Sequence, residues 1–209
     1  MTKKNYLLNS FTLAENEEVV RGEGVYLYTR KKKYLDSTSG LTGTAILGWS
    51  NKQIEHAITN QLKKVCLIDY KYFLDSNREK LAKIIIDSAN HKLDKFFLVG
   101  GSGGEACEAS MKLSYQYQCA LGKPEKKWFI SRKQSYHGSG SDAISVGDRP
   151  NLNFYKPFFP KFRAKIDEHN VYRNRKRNET VTDYEKRSVL QLEKKILSIG
   201  PDKVCGFVA

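Results

Sequence analysis

The chain is 209 residues long, 40% hydrophobic and 28% charged, the make-up of a globular domain with enough apolar surface to bury a proper core. No apolar run approaches the ~20 residues a membrane span needs. Residues 1–20 lack the apolar centre of a signal peptide and carry Glu15, Glu17 and Glu18, so cytoplasm is the expected compartment. The formal charge of +13 is scattered over Lys31 to Lys33, Lys63-Lys64, Lys126-Lys127 and Arg173 to Arg177, outside any nucleic-acid-binding motif; an anionic ligand or a general lysine bias accounts for it better than nucleic acid does. Cys66, Cys107, Cys119 and Cys205 lie far apart with no CxxC pair, which argues against a metal site or disulfide framework and for reduced, buried thiols.

In chain order, residues 24–29 and 33–36 alternate like a hairpin with a basic tip at residues 30–32. Residues 37–43 are small and turn-rich and read as an ordered loop. Ser50 opens a capping box before Ile54, Ala57, Ile58, Leu62 and Val65 at helical spacing, and a second box, Ser76 with Glu79, opens a helix over residues 76–89. Residues 95–99 form a short apolar strand running into a glycine-rich turn, and residues 105–121 a helix stopped by Gly122 and Pro124. A strand over residues 128–130 leads into Ser135-Tyr-His-Gly138. Residues 147–180 show no period and read as loop. Thr182 caps a helix bearing Val189, Leu192, Ile196 and Ile199 on one face, and residues 204–209 are a strand. Alternating strands and helices predict α/β units around a mostly parallel sheet. We divide the chain into residues 1–48, an N-terminal segment with the hairpin and loop, and 49–209, the first part of a larger α/β domain.

Two segments carry chemistry. In Phe96-Phe-Leu-Val-Gly-Gly-Ser-Gly-Gly-Glu-Ala106, glycines between a strand and a helix let backbone N–H groups approach an anion, and the helix N-terminus adds partial positive charge. Ser102 can add a hydroxyl donor. The segment is neither a Walker loop nor a clean GxGxxG, and a tight packing turn is the alternative reading. Tyr136, at the carboxyl end of a strand, can lay its ring on a flat heteroaromatic ligand, with Gly138 keeping the backbone clear. His137 reads either as a ligand contact or, preferred on the residues alone, as a histidine satisfied inside the fold.

Together these segments resemble the class III aminotransferases, pyridoxal-phosphate (PLP) enzymes of fold type I. Their Ser-Gly-Ser-Glu-Ala motif is matched by Ser102-Gly-Gly-Glu-Ala106 with Glu108-Ala109 and Lys112-Leu113, and their Tyr-His-Gly by Tyr136-His-Gly138. Tyr34-Leu-Asp36, Ser39-Gly40 and Gly48 resemble the family's approach to the site, and Tyr172-Arg173 and Gly200-Pro201 its run-up to the next strand. The resemblance implies the fold type I large domain, with the cofactor phosphate on Ser102, Gly103 and Gly104. It implies Tyr136 stacked on the pyridine ring, His137 and Gly138 beside it, and Ser39 and Gly40 near the substrate at a homodimer interface. It further implies transamination between small amines or amino acids and keto acids. Gly104 stands where the family has Ser or Thr; a missing hydroxyl contact to a charged group costs roughly 1.5–3 kcal/mol.

The family's Schiff-base lysine, the Asp that pairs with the pyridine nitrogen and the Glu following the strand at residues 204–209 have no counterpart in this sequence. The chain therefore reads as the N-terminal half of a transaminase, truncated or incompletely recorded, with no catalytic residue of its own. The alternatives are a non-catalytic PLP- or phosphate-binding remnant and a basic nucleic-acid-interacting protein using residues 171–177.

Overall fold

A computed structural model of the chain describes residues 17–89 and 92–209 and divides into two units, Met1–Glu79 and Lys80–Ala209. Of the acidic residues near the N-terminus, Glu15 lies outside the described residues, while Glu17 accepts from the Thr29 hydroxyl. In the first unit, Val19–Glu23 (β1), Tyr26–Thr29 (β2) and Lys33–Leu35 (β3) make an antiparallel sheet in that order. The expected hairpin is β2–β3, with Leu27 opposite Tyr34, and Thr29 Oγ1 closes its basic tip by accepting from the Lys31 and Lys32 amides. β1 is an addition that its broken alternation concealed.

The loop that follows is ordered by one carboxylate. Asp36 accepts from the Thr38 hydroxyl at 2.9 Å, the Thr38 and Gly40 amides at 3.1 and 2.6 Å, and Trp49 Nε1 at 3.1 Å. These bonds, the Thr38 hydroxyl's first, hold Asp36 below the usual carboxylate range. The helices Lys52–Lys64 (α1) and Ser76–Ser88 (α2) fall where the periodicity puts them, but their caps do not. Asn51 caps α1, accepting from the Gln53 and Ile54 amides, while Ser50 turns away at φ 54° and donates to the Gly22 carbonyl. At α2, Asp75 accepts from the Asn77 amide. Asn and Asp carry a planar acceptor that reaches the first free amides, so each displaces the adjacent serine.

The second unit contains Gly103–Ala120 (α3), Trp128–Arg132 (β4), Ser141–Val146 (α4), Arg163–Ile166 (β5), Val171–Asn174 (α5), Val181–Ile199 (α6) and Val204–Val208 (β6), with 3-10 turns at Pro150–Phe158 and Pro201–Lys203. The sheet is parallel with order β5-β4-β6, the α/β arrangement expected. α3 packs on β6 and α4, and α6 on β5. Met111, Phe129 and Val146 form the core, joined by Cys107, Cys205 and Val208.

Four expectations are corrected. Residues 95–99 are not a strand: no described strand pairs with them, and Phe97 and Leu98 stay exposed. Apolar character alone cannot make a strand when its backbone has no neighbour to bond. Residues 147–180 are not plain loop, since they contain the first 3-10 turn, β5 and α5; Arg163 and Lys165 alternating with Ala164 and Ile166 hid an internal strand. Thr180, not Thr182, caps α6 by accepting from the Asp183 amide. Cys66 and Cys119 are exposed, so only Cys107 and Cys205 are partly buried thiols.

Candidate functional site

The site is assembled where the first turn of α3 meets the loop between β4 and α4. α3 starts two residues earlier than predicted, because Ser102 caps it. Its hydroxyl accepts from the Glu105 amide at 3.2 Å, and Glu105 Oε2 accepts from the Ser102 amide at 3.0 Å, a full capping box. Gly103 and Gly104 thus occupy the first helical positions, whose amides have no partner within the helix. The Ser102 hydroxyl, expected as a ligand donor, accepts in the box and directs its own proton to Glu105 Oε2 at 3.4 Å. The spacing Ser102 to Glu105 was the available signal for it.

The opposing loop is held down by backbone contact and by a carboxylate from α3. Gly138 has φ +131°, and a Cβ there would stand 2.4 Å from the Gly104 Cα. Conversely, a Cβ on Gly104 would meet the Gly138 Cα at 3.1 Å. Gly104 is therefore more than a lost hydroxyl, because a Ser or Thr here requires the 138 loop to shift by a few tenths of an ångström. Glu108 Oε1 accepts from the Asp142 amide at 3.2 Å, tying α3 to the start of α4, and a Cβ on Gly140 would collide with that carboxylate.

Between these elements lies a cavity of about 690 Å³. All six residues expected to hold the cofactor (Ser102, Gly103, Gly104, Tyr136, His137 and Gly138) line it. Glu105, Cys107, Glu108, Ser139 and Gly140 complete the lining; Glu108 and Gly140 meet across 32 positions of sequence, beyond the reach of any local pattern. Tyr136 is half exposed, with the Arg149 guanidinium 4.2 Å over its ring. His137 Nε2 is buried without a hydrogen-bond partner, contrary to the preferred reading of a satisfied histidine. Burial first, then the charges of Lys165 and Arg132, hold His137 below its usual range, so its ring is neutral at pH 7. Ser39 and Gly40 belong to the other unit, at φ 50° and 72° in the turn ordered by Asp36.

The arrangement suits an anion joined to a flat ring. Two free amides and the positive end of an 18-residue helix face the cavity, an aromatic face is available, and a neutral imidazole nitrogen lacks a partner. The residues present therefore fit a ring phosphate such as PLP. No lysine lines the cavity among the described residues.

The family profile described as aminotransferase class-III matches residues 13–209. The chain belongs to the class III aminotransferases. Among its relatives is an uncharacterized aminotransferase of Schizosaccharomyces pombe, 34% identical over 99% of this chain and 45% of its own length. Gamma aminobutyrate transaminase 2 of Solanum lycopersicum is 35% identical over 90% of this chain and 42% of its own. The crystal structure of the omega transaminase from Pseudomonas jessenii in complex with PMP superposes with a TM-score of 0.89 at 28% identity, covering 97% of this chain and 46% of that one. This class III chain thus spans under half the length of the relatives it matches, and its fold is that of the PLP fold type I transaminases. No helix among the described residues is long and apolar enough to cross a membrane.

Proposed function

We propose that the cavity between α3 and the 133–140 loop is the phosphate and ring pocket for PLP in a transaminase of which this chain supplies the N-terminal part. The observation that carries it is convergence: six residues separated by up to 36 positions of sequence line one cavity, and an unpartnered His137 Nε2 lies among them. Bound PLP supplies the electron sink through which an amino group passes between carbon skeletons.

The chain's own residues bind and orient. The Gly103 and Gly104 amides donate to the phosphate at the helix terminus, and Tyr136 lies along the ring. His137 donates or accepts at Nε2 as a neutral partner. Glu105 and Glu108 also line the pocket, but backbone amides already neutralise part of their charge. No lysine among the described residues lines the pocket, so the contacts these residues offer the cofactor are noncovalent. Ser39 and Gly40 would lie near the substrate in a cytoplasmic homodimer acting on small amines or amino acids and keto acids. Family membership supports this substrate range, and the relatives include a gamma aminobutyrate transaminase and an omega transaminase.

The test uses pyridoxamine 5'-phosphate, whose amine cannot condense with surface lysines. Gly103→Pro removes one amide donor at the position where helices accept proline, and a Cβ there meets nothing within 4 Å. The extended Ser102, at φ −145° and ψ 152°, is the conformation a residue before proline prefers. We expect calorimetry to show binding that Gly103→Pro weakens by roughly 10- to 100-fold, the loss of one charged hydrogen bond. Binding that is absent, or equal in the two proteins, overturns the assignment.

A further inference from the structure

A second cavity, of about 360 Å³, opens between the end of α4, the Pro150–Phe158 turn and β5. Four cationic side chains line it, Arg149, Lys156, Arg163 and Lys165, against the one carboxylate of Asp148. Arg163 is already balanced. Its Nη2 donates to Asp142 Oδ1 at 2.7 Å, its Nε to Ser145 Oγ and its Nη1 to the Phe162 carbonyl.

The other three are not. Lys165 Nζ donates to Ser131 Oγ at 2.8 Å and to the Gly147 carbonyl at 2.6 Å, both uncharged, which leaves its third N–H and its charge unanswered. Arg149 and Lys156 make no ion pair among the described residues. Removing the Arg163–Asp142 pair, three positive groups face one negative group, an excess of two charges, with Lys165 half buried and Arg149 and Lys156 exposed. Burial also pushes Lys165 down to about 8, with Asp148 opposing and Arg163 adding to that effect. An excess of two charges centred on a half-buried ammonium is complemented by a dianion. Phosphate matches it in shape as well, since its three oxygens can take an ammonium, a second ammonium and a guanidinium fork from different directions.

We propose that this second cavity binds a phosphate dianion, free or as the ester of a small molecule, through Lys165, Lys156 and Arg149. The site does not depend on the PLP reading of the first cavity. Arg149 nonetheless joins the two, because its guanidinium also covers the Tyr136 ring.

Amide NMR on the full chain at constant ionic strength tests the proposal and reports the cavities separately. Titration with inorganic phosphate should shift residues 147–156 and 163–165 together, along one saturable curve. Lys165→Met should weaken that curve tenfold or more, and Lys156→Gln, an exposed position that spares the fold, about three- to fivefold. Glycerol 3-phosphate binding more tightly than phosphate identifies the ester as the ligand, and equal binding identifies the free ion. Absence of saturable shifts there, or a curve that Lys156→Gln leaves unchanged, overturns the proposal, whatever residues 102–105 do.

Discussion

Gly138 shows how one missing side chain sets the width of the site. At φ +131° an L residue is strained, and its Cβ would press on the Gly104 backbone at 2.4 Å, where no flexible side chain can yield. Gly138→Ala should therefore cost about 2–4 kcal/mol in urea unfolding, combining backbone strain with overpacking. Gly101→Ala, where a Cβ meets nothing within 4 Å, should stay within about 0.5 kcal/mol. Equal losses would mean that the 104–138 contact does not define the loop. Lys165 makes a second prediction with its sign fixed by linkage. Its folded pKa of about 8 lies below the ordinary 10.5, so between those values the unfolded chain holds more protons and stability rises with pH. Lys165→Met should be more stable than the parent at pH 7.5, by about 1 kcal/mol after allowing for solvent at a half-buried ammonium. That advantage should shrink to nothing by pH 10.5, as read from urea midpoints across the range. A constant difference would assign the gain to packing.

At the scale of elements, the N-terminus of α3 is the piece on which site and stability both depend. Ser102→Ala removes the hydroxyl that accepts from the Glu105 amide and should lower stability by about 1 kcal/mol, within the range for N-caps. Because that hydroxyl's proton is directed at Glu105 Oε2, the same substitution should weaken pyridoxamine phosphate binding far less than Gly103→Pro does. A larger effect of Ser102→Ala would show that the hydroxyl donates to the ligand and not to Glu105. How far elements were legible follows the same physics. Amphipathic helices and the glycine-rich turn declare themselves through local spacing, and so did both halves of the cavity. Caps were displaced by one residue where a better acceptor stood beside the serine, as Asn51 and Asp75 do. β5 escaped notice because it carries Arg163 and Lys165, whose side-chain N–H groups bond to Asp142, Ser131 and Gly147, all distant in sequence. The strand expected at residues 95–99 failed for the reverse reason, since pairing is a property of two segments and the sequence of one cannot supply it. The contacts of Glu108 with α4 and of Arg149 with Tyr136 likewise have no local signature.

At the scale of the molecule the two units differ in what sustains them. The second unit buries Ile130, Ala143 and Val146 completely, whereas no described residue of the first is buried. The first unit's order rests on exposed sheet bonds, the Asp36 turn and the 13-residue α1, a length at which isolated helices are marginal in water. The apolar stripe of α1 is unsatisfied, with Ile58 55% and Leu62 59% exposed, and Leu74 beyond it is 92% exposed. Local opening should therefore require far less free energy in residues 17–79 than around β4. Brief trypsin treatment followed by mass spectrometry is expected to cut first at Lys31 to Lys33 and Lys63-Lys64, leaving a fragment containing β4, β5 and β6 that survives many times longer. Both units offer abundant lysine and arginine, so the order of cutting reports stability and not the supply of sites. Early cleavage at Arg132 or Lys165, before the first unit is lost, would contradict this. It would place the weak point in the parallel sheet, where the burial of Ile130 says it is not.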